Sequence, residues 1–227
     1  MRKITIMILM LFALALNATS QSGNIYSQLS EDEGWKEFKE KGDFTFRRKP
    51  INGFDLYALE IRKIVDITPE SIFAVLLDVN NYKELLGDSK YLEAEEVFRD
   101  ENVITGYQFA RIPVIPNRHY LFDFDLHEYK RALQDSTYKL GWTLLNPEGI
   151  HSEFIQMKNE ENNNPIYIKT GAGIWLITEI APGSYENSYR LYLDPNGWMP
   201  GWLVNTFNVK NLQQLFEQVL AAAAEKE

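Results

Sequence analysis

The sequence predicts an α+β protein, a strongly curved antiparallel sheet wrapped around one long C-terminal helix. Three observations predict it. Segments between Val103 and Leu193 alternate apolar and polar residues with period two, which leaves one sheet face dry and the other wet. From Trp202 onward the period changes. Trp202, Thr206, Val209, Leu212, Phe216 and Val219 recur every three or four residues and lay a mostly apolar stripe along one helix face. The two patterns are separated by Asp194-Pro195-Asn196-Gly197-Trp198-Met199-Pro200-Gly201, whose prolines and glycines must redirect the chain. Burying one large apolar side chain gives roughly 1.5–3 kcal/mol, so the stripe needs a broad apolar partner. The concave face of the sheet is that partner, and 227 residues suffice for one good-sized domain.

The first residues precede this domain. Met1-Arg2-Lys3 is basic, Ile4 to Leu16 is apolar, and Asn17-Ala18-Thr19-Ser20-Gln21 is small and polar. This is the layout of a secretory signal peptide, with cleavage expected after Ala18 or Ser20. The apolar run is shorter than the ~20 residues of a spanning helix. Residues 1–20 are therefore expected to be a leader, 21–29 a short linker and 30–227 the domain, and the protein to be exported, either periplasmic or secreted. The chain has no cysteine, which excludes disulfides, thiolate zinc sites, thiol nucleophiles and lipoprotein attachment. Its net charge of −9 repels nucleic acid, so no nucleic-acid partner is expected.

Within the domain, Ser30-Glu31-Asp32-Glu33 reads as a capping box that opens a short helix, carrying Trp35 and Phe38 inward and stopping near Gly42. Phe44–Arg47 and Leu56–Ile67 read as strands joined across Lys49 to Gly53. Thr68-Pro69-Glu70 starts a helix, with threonine as cap and proline in the first turn, and Ile72, Phe73, Val75, Leu76 and Leu77 form its buried side. A helical turn over Asn81–Leu86 ends at Gly87. Strands follow at Val103–Arg111, Arg118–Leu126 and Ser136–Leu144, then near His151–Met157, Ile166–Ala172, Ile174–Ile180 and Tyr185–Leu193. Asn159–Pro165 reads as a polar hairpin loop. On Arg118–Leu126 the pattern puts Tyr120, Phe122 and Phe124 on one face and His119, Asp123 and Asp125 on the other.

This order resembles a START domain, the steroidogenic acute regulatory protein-related lipid transfer family of the helix-grip (SRPBCC) superfamily, over roughly residues 30 to 220. The resemblance is carried by Gly34-Trp35, by Ile67-Thr68-Pro69-Glu70-Ser71-Ile72-Phe73, by Leu77-Asp78-Val79-Asn80-Asn81-Tyr82, by Pro113 with Pro116-Asn117-Arg118, and by Asp194 to Asn205. His119 and Leu85 depart from the aspartate and tryptophan usual there. What the resemblance implies is a cavity under the C-terminal helix that takes up one lipid or similar apolar small molecule, with no catalysis, no cofactor and no metal. A monomer is expected.

The enzyme signals are thin. Gly87-Asp88-Ser89 matches a lipase and esterase nucleophile signature, but it closes a helical turn and no histidine follows His151. His119, His127 and His151 do not supply the three or four converging ligands of a zinc site, and Asp123 and Asp125 lie on one face rather than across a cleft. The aromatic residues Tyr107, Phe109, Tyr120, Phe122, Phe124, Tyr138, Trp142 and Trp175 either line a ligand cavity or fill it. Trp202 and Thr206 extend that set from the helix. Arg111 and Arg190 either orient a polar ligand head or pair internally with an acid. Gly197, Trp198 and Gly201 form the candidate gate, with the glycines as hinges. Trp198, Met199 and Trp202 either make transient contact with a membrane interface or pack on the protein itself. A cyclase- or esterase-type enzyme in the same cavity, and a filled, non-binding interaction module, stay open as alternatives.

Overall fold

The computed structural model describes residues 21–86, 92–111, 115–134, 138–196 and 201–227, and of 131–134 and 201–208 it describes the backbone alone. Helix α1 spans 21–30 and is followed by strands β1 (Lys36–Lys41), β2 (Phe44–Pro50) and β3 (Tyr57–Val65). Next come helix α2 (Pro69–Leu76), a 3-10 turn at Val79–Asn81 and the short helix α3 (Tyr82–Leu85). Strands β4 (Leu92–Arg99), β5 (Val103–Ala110) and β6 (Arg118–Asp125) lead to helix α4 (Leu126–Gln134) and strand β7 (Tyr138–Leu144). Helix α5 (Ser152–Glu161), strands β8 (Ile166–Tyr167), β9 (Thr170–Ala181) and β10 (Ser184–Asp194), and the 24-residue helix α6 (Gly201–Ala224) complete the chain.

The strands form a 10-stranded sheet in the order β1-β2-β3-β10-β9-β7-β6-β5-β4, with β8 joined in parallel to β6. The long strands β9 and β10 form its spine, in register from Tyr185↔Glu179 to Asp194↔Thr170. On the concave side, Leu212, Phe216 and Val219 of α6 pack into one core with Phe46, Ile61, Phe73, Leu140 and Trp175. Helix α2 begins as its sequence dictates: the Thr68 side chain accepts a hydrogen bond from the Ser71 amide at 3.4 Å, and Pro69 occupies the first turn.

Two segments on the convex side differ from the sequence expectation. Residues 21–30, expected as a linker, are helical, and the helix ends where the capping box would have started one. Ile25 and Leu29 of α1 are fully buried against Ile51, Ala58, Ala172, Ile174 and Tyr192. Two cations face its negative C-terminal end, Lys49 Nζ donating to Gln28 O at 2.7 Å and Arg190 to Leu29 O at 2.9 Å. The residues expected as helix are instead the edge strand β1, turned into β2 through Gly42 at φ 62°. Local capping chemistry yields here to strand pairing. Trp35 is buried as expected, whereas Phe38 is exposed.

The second difference is α5, expected as a strand near His151–Met157. Phe154, Ile155 and Lys158 share one face at helical spacing, a pattern that a short apolar run leaves ambiguous. The asparagines expected in a hairpin loop end this helix, Asn163 and Asn164 taking left-handed φ values of 58° and 51°. A smaller helix, α4, begins where the β6 strand was expected to run on through Leu126.

Candidate functional site

Period-two alternation places every second side chain of the central strands on the concave face. Tyr120, Phe122 and Phe124 of β6, Trp142 of β7, Trp175 of β9 and Tyr189, Leu191 and Leu193 of β10 face α6. They do not meet the helix everywhere. Between them and Leu212, Leu215 and Val219 lies a cavity of about 570 Å³, closed on a third side by Leu76, Tyr82 and Leu86.

Two glycines set the shape of its floor. Gly106 pairs with Phe122 and Gly173 with Trp142, and in each pair the large ring lies across the neighbouring strand. A Cβ at Gly106 would overlap the Phe122 ring, and one at Gly173 would come within 2.5 Å of Trp142 Nε1. Trp175 is clamped by stacking, 4.6 Å from Tyr189 and 5.1 Å from Phe216 between ring centroids.

The hydroxyl and amide groups of the cavity are neutral. The Tyr82 hydroxyl donates to Leu76 O, the Tyr120 hydroxyl donates to Gln108 Oε1, and Trp142 Nε1 donates to the Tyr189 oxygen at 3.2 Å. Burial pushes the titration of all three tyrosines upward, so none carries charge near neutral pH. Arg111 lines the cavity at its exposed rim and is ion-paired with Glu93. Among the described residues, no group of three or more histidines, acids or cysteines could hold a metal.

No family model matches this chain, and no curated protein matches it. Solved structures do. A STAR-related lipid transfer protein from Xanthomonas axonopodis is similar with a TM-score of 0.66 at 16% identity, over 85% of this chain and 99% of that one. Human StAR-related lipid transfer protein 5 is similar with a TM-score of 0.61 at 10% identity, over 94% of this chain and 98% of that one. The fold is the START, or helix-grip, fold. An aromatase/cyclase from a Streptomyces species shares the architecture more distantly, with a TM-score of 0.51 at 11% identity, over 74% of this chain and 94% of that one.

Within this START fold the expected site residues separate into groups. Arg111, Tyr120, Phe122, Phe124, Trp142 and Trp175 line the cavity. Tyr138 packs against the same core without lining the hollow. Tyr107 and Phe109, expected inside, lie on the convex face in a cluster with Leu121, Ile155 and Tyr167. The reason is α5, which covers that face and leaves strand β5 without a wet side, so the larger residues no longer mark the cavity. Arg190 is also convex. It donates to Glu60 Oε1 at 2.8 Å and to Asp32 Oδ1 at 2.6 Å, the internal pairing that a ligand head would have replaced.

Gly201 is the first residue of α6, whereas Gly197, Trp198, Met199 and the Gly87-Asp88-Ser89 motif lie outside the described residues, as do the side chains of Trp202 and Thr206. The histidine expectation needs correction too. His119 is fully buried rather than exposed on a wet face, and His127 and His151 stand on helix α4 and just before α5.

Sequence reasoning missed Gln108, Tyr189, Leu191 and Leu193. The signal was present: Tyr189 alternates with Arg190, so sending the arginine to its partner Glu60 sends the tyrosine inward. It also passed over Arg118. This guanidinium is 1% exposed and donates to Pro116 O, to Pro195 O at 3.0 Å and to Asn196 O at 3.2 Å. Arg118 thereby ties the turn that leads into α6 to strand β6.

Proposed function

We propose that this protein binds a single lipid or comparable apolar molecule in the cavity under α6, for transfer or sequestration. The observation that carries the reading is the hollow of about 570 Å³, walled by aromatic and aliphatic side chains and holding neutral polar groups. Each methylene removed from water is worth ~0.8 kcal/mol, so a guest burying ten of them gains roughly 8 kcal/mol before ordering costs. Useful affinity then needs no reactive group. The lipid transfer proteins that share the START fold support the same reading.

Native mass spectrometry of the protein from its own host, followed by extraction of the bound molecule, tests this. A single apolar adduct is the expected result. Protein that is always empty, and that takes up no lipid on incubation, overturns the reading. A cyclase-type enzyme in the same cavity is the second reading, favoured by the aromatase/cyclase of like architecture. It requires chemical conversion of the extracted molecule on incubation with fresh protein.

The export reading of residues 1–20 belongs to the same proposal, and places binding outside the cytoplasm, with transient membrane contact during loading and the monomer as working unit. N-terminal sequencing of the mature protein checks the leader: a chain still beginning at Met1 rules out cleavage. Sedimentation with neutral and anionic vesicles checks the contact.

A further inference from the structure

We infer that the cavity selects a neutral ligand bearing a carbonyl oxygen, which the Tyr189 hydroxyl receives as hydrogen-bond donor. The inference rests on the ligand-binding reading above and adds the chemistry of the guest. It comes from where the ring hydroxyls of the cavity send their protons. Tyr82 spends its proton on Leu76 O, and Tyr120 spends its proton on Gln108 Oε1. Tyr189 is different. Trp142 Nε1 donates to its oxygen at 3.2 Å, and among the described residues its own proton has no acceptor. The residue is 3% exposed, so its hydroxyl is reached from the cavity alone. The Gln108 amide nitrogen is a second donor left without an acceptor among the described residues, once Oε1 has taken the Tyr120 proton.

Of the three ring hydroxyls, Tyr189 is thus the one whose proton is unspent among the described residues, and a guest that uses it must bring the acceptor. Its charge follows from the same inventory. Among the described residues no carboxylate lines the cavity, so a buried ammonium would have no anion to face. Arg111 is the charged lining residue, but Glu93 already neutralises it at the rim. A buried carboxylate would therefore meet neutral donors alone, which do not offset the loss of its hydration. A ketone or ester carbonyl accepts one hydrogen bond and leaves no charge behind. Position supports the assignment, because the ring carrying this hydroxyl is held by its stack on Trp175 and by the Trp142 hydrogen bond. The donor is fixed before the ligand arrives.

Fluorene, fluorenone and fluorene carboxylic acid share one ring system and differ at a single carbon, so they separate these ideas. Equilibrium dialysis of the delipidated protein should show fluorenone binding about tenfold tighter than fluorene, with the carboxylate weakest. The infrared carbonyl stretch of bound fluorenone should lie below its position in hydrocarbon solvent. Tyr189→Phe keeps the stacked ring and should bring fluorenone affinity to that of fluorene while returning the stretch to its hydrocarbon value. Equal wild-type affinity for fluorene and fluorenone, with an unshifted stretch, overturns the carbonyl inference and leaves ligand binding intact. Tightest binding of the carboxylate overturns the neutral guest. Failure of all three probes together with host lipids overturns the binding reading itself. The wild-type comparison and the stretch decide the matter even if the Tyr189→Phe protein does not fold.

Discussion

The two faces of the sheet solve opposite problems with the same strands. The concave face buries aromatic rings and leaves space, and its buried polar groups are neutral and partly unspent. The convex face buries charge. There Glu60, with no exposed surface, accepts from Arg47 at 2.9 Å, Arg62 at 3.0 Å, Arg190 at 2.8 Å and Ser188 at 2.8 Å. Burial by itself would raise the Glu60 carboxyl, but the hydrogen bonds from Arg62 and Arg190 outweigh it and hold its titration below the ordinary value. A buried carboxylate paired this closely holds strands in one arrangement, whereas the concave walls are those of the proposed ligand site. One face is scaffold and the other is the proposed site.

The sharpest way to break this contrast is to strip the convex network of its anion. Glu60→Gln removes the buried anion that Arg47, Arg62 and Arg190 share, leaving Arg190 with the exposed Asp32 and Arg62 with Glu186, and should cost about 3–5 kcal/mol in urea unfolding. A loss below about 1 kcal/mol would mean that the convex charges do not hold the scaffold.

The next largest effect is set by pH. His119 is fully buried, its Nε2 has no partner among the described residues, and Nδ1 lies 3.3 Å from the Tyr107 oxygen. Burial lowers its titration from 6.5 to about 4. Because the folded value is depressed, the neutral ring's contribution is complete above the unfolded value and is lost as pH falls toward the folded one. Unfolding free energy should drop by an amount on the order of 3 kcal/mol across that window, and His119→Phe should flatten this part of the profile. An identical profile in the variant would reassign the acid sensitivity to the carboxylates.

On the concave face, Gly106→Ala drives a methyl into the Phe122 ring. Overpacking costs about 1–3 kcal/mol and should also displace the ring into the hollow, so lipid uptake should fall along with stability. Unchanged uptake would place the guest away from this part of the floor. Smallest is Thr68→Ala, which removes the α2 cap for ~1 kcal/mol and should leave ligand affinity as it was. It calibrates the others, since it belongs to neither face.

Much of this was legible beforehand. Strands β2, β3, β5, β6, β7 and β10, the Thr68 cap and the terminal helix all carry local patterns that no tertiary contact needed to explain. The cavity was half legible. Tyr120, Phe122, Phe124, Trp142 and Trp175 follow from alternation on strands whose other face looks polar. Tyr107, Phe109 and Arg190 do not, because the rule of one dry and one wet face assumes that nothing covers the second face. Here α1 and α5 cover it, the first from a segment expected as a linker and the second from a short apolar run of ambiguous period.

What the sequence determined by itself was the period of each segment and the points where it changes, since those depend on a residue and its near neighbours. The tertiary structure alone decided which face is the inner one on strands covered on both sides, such as β5 and β10. That choice depends on partners far along the chain, such as Glu60 for Arg190 and Ile155 for Phe109, and no local pattern encodes a contact between residues so widely separated.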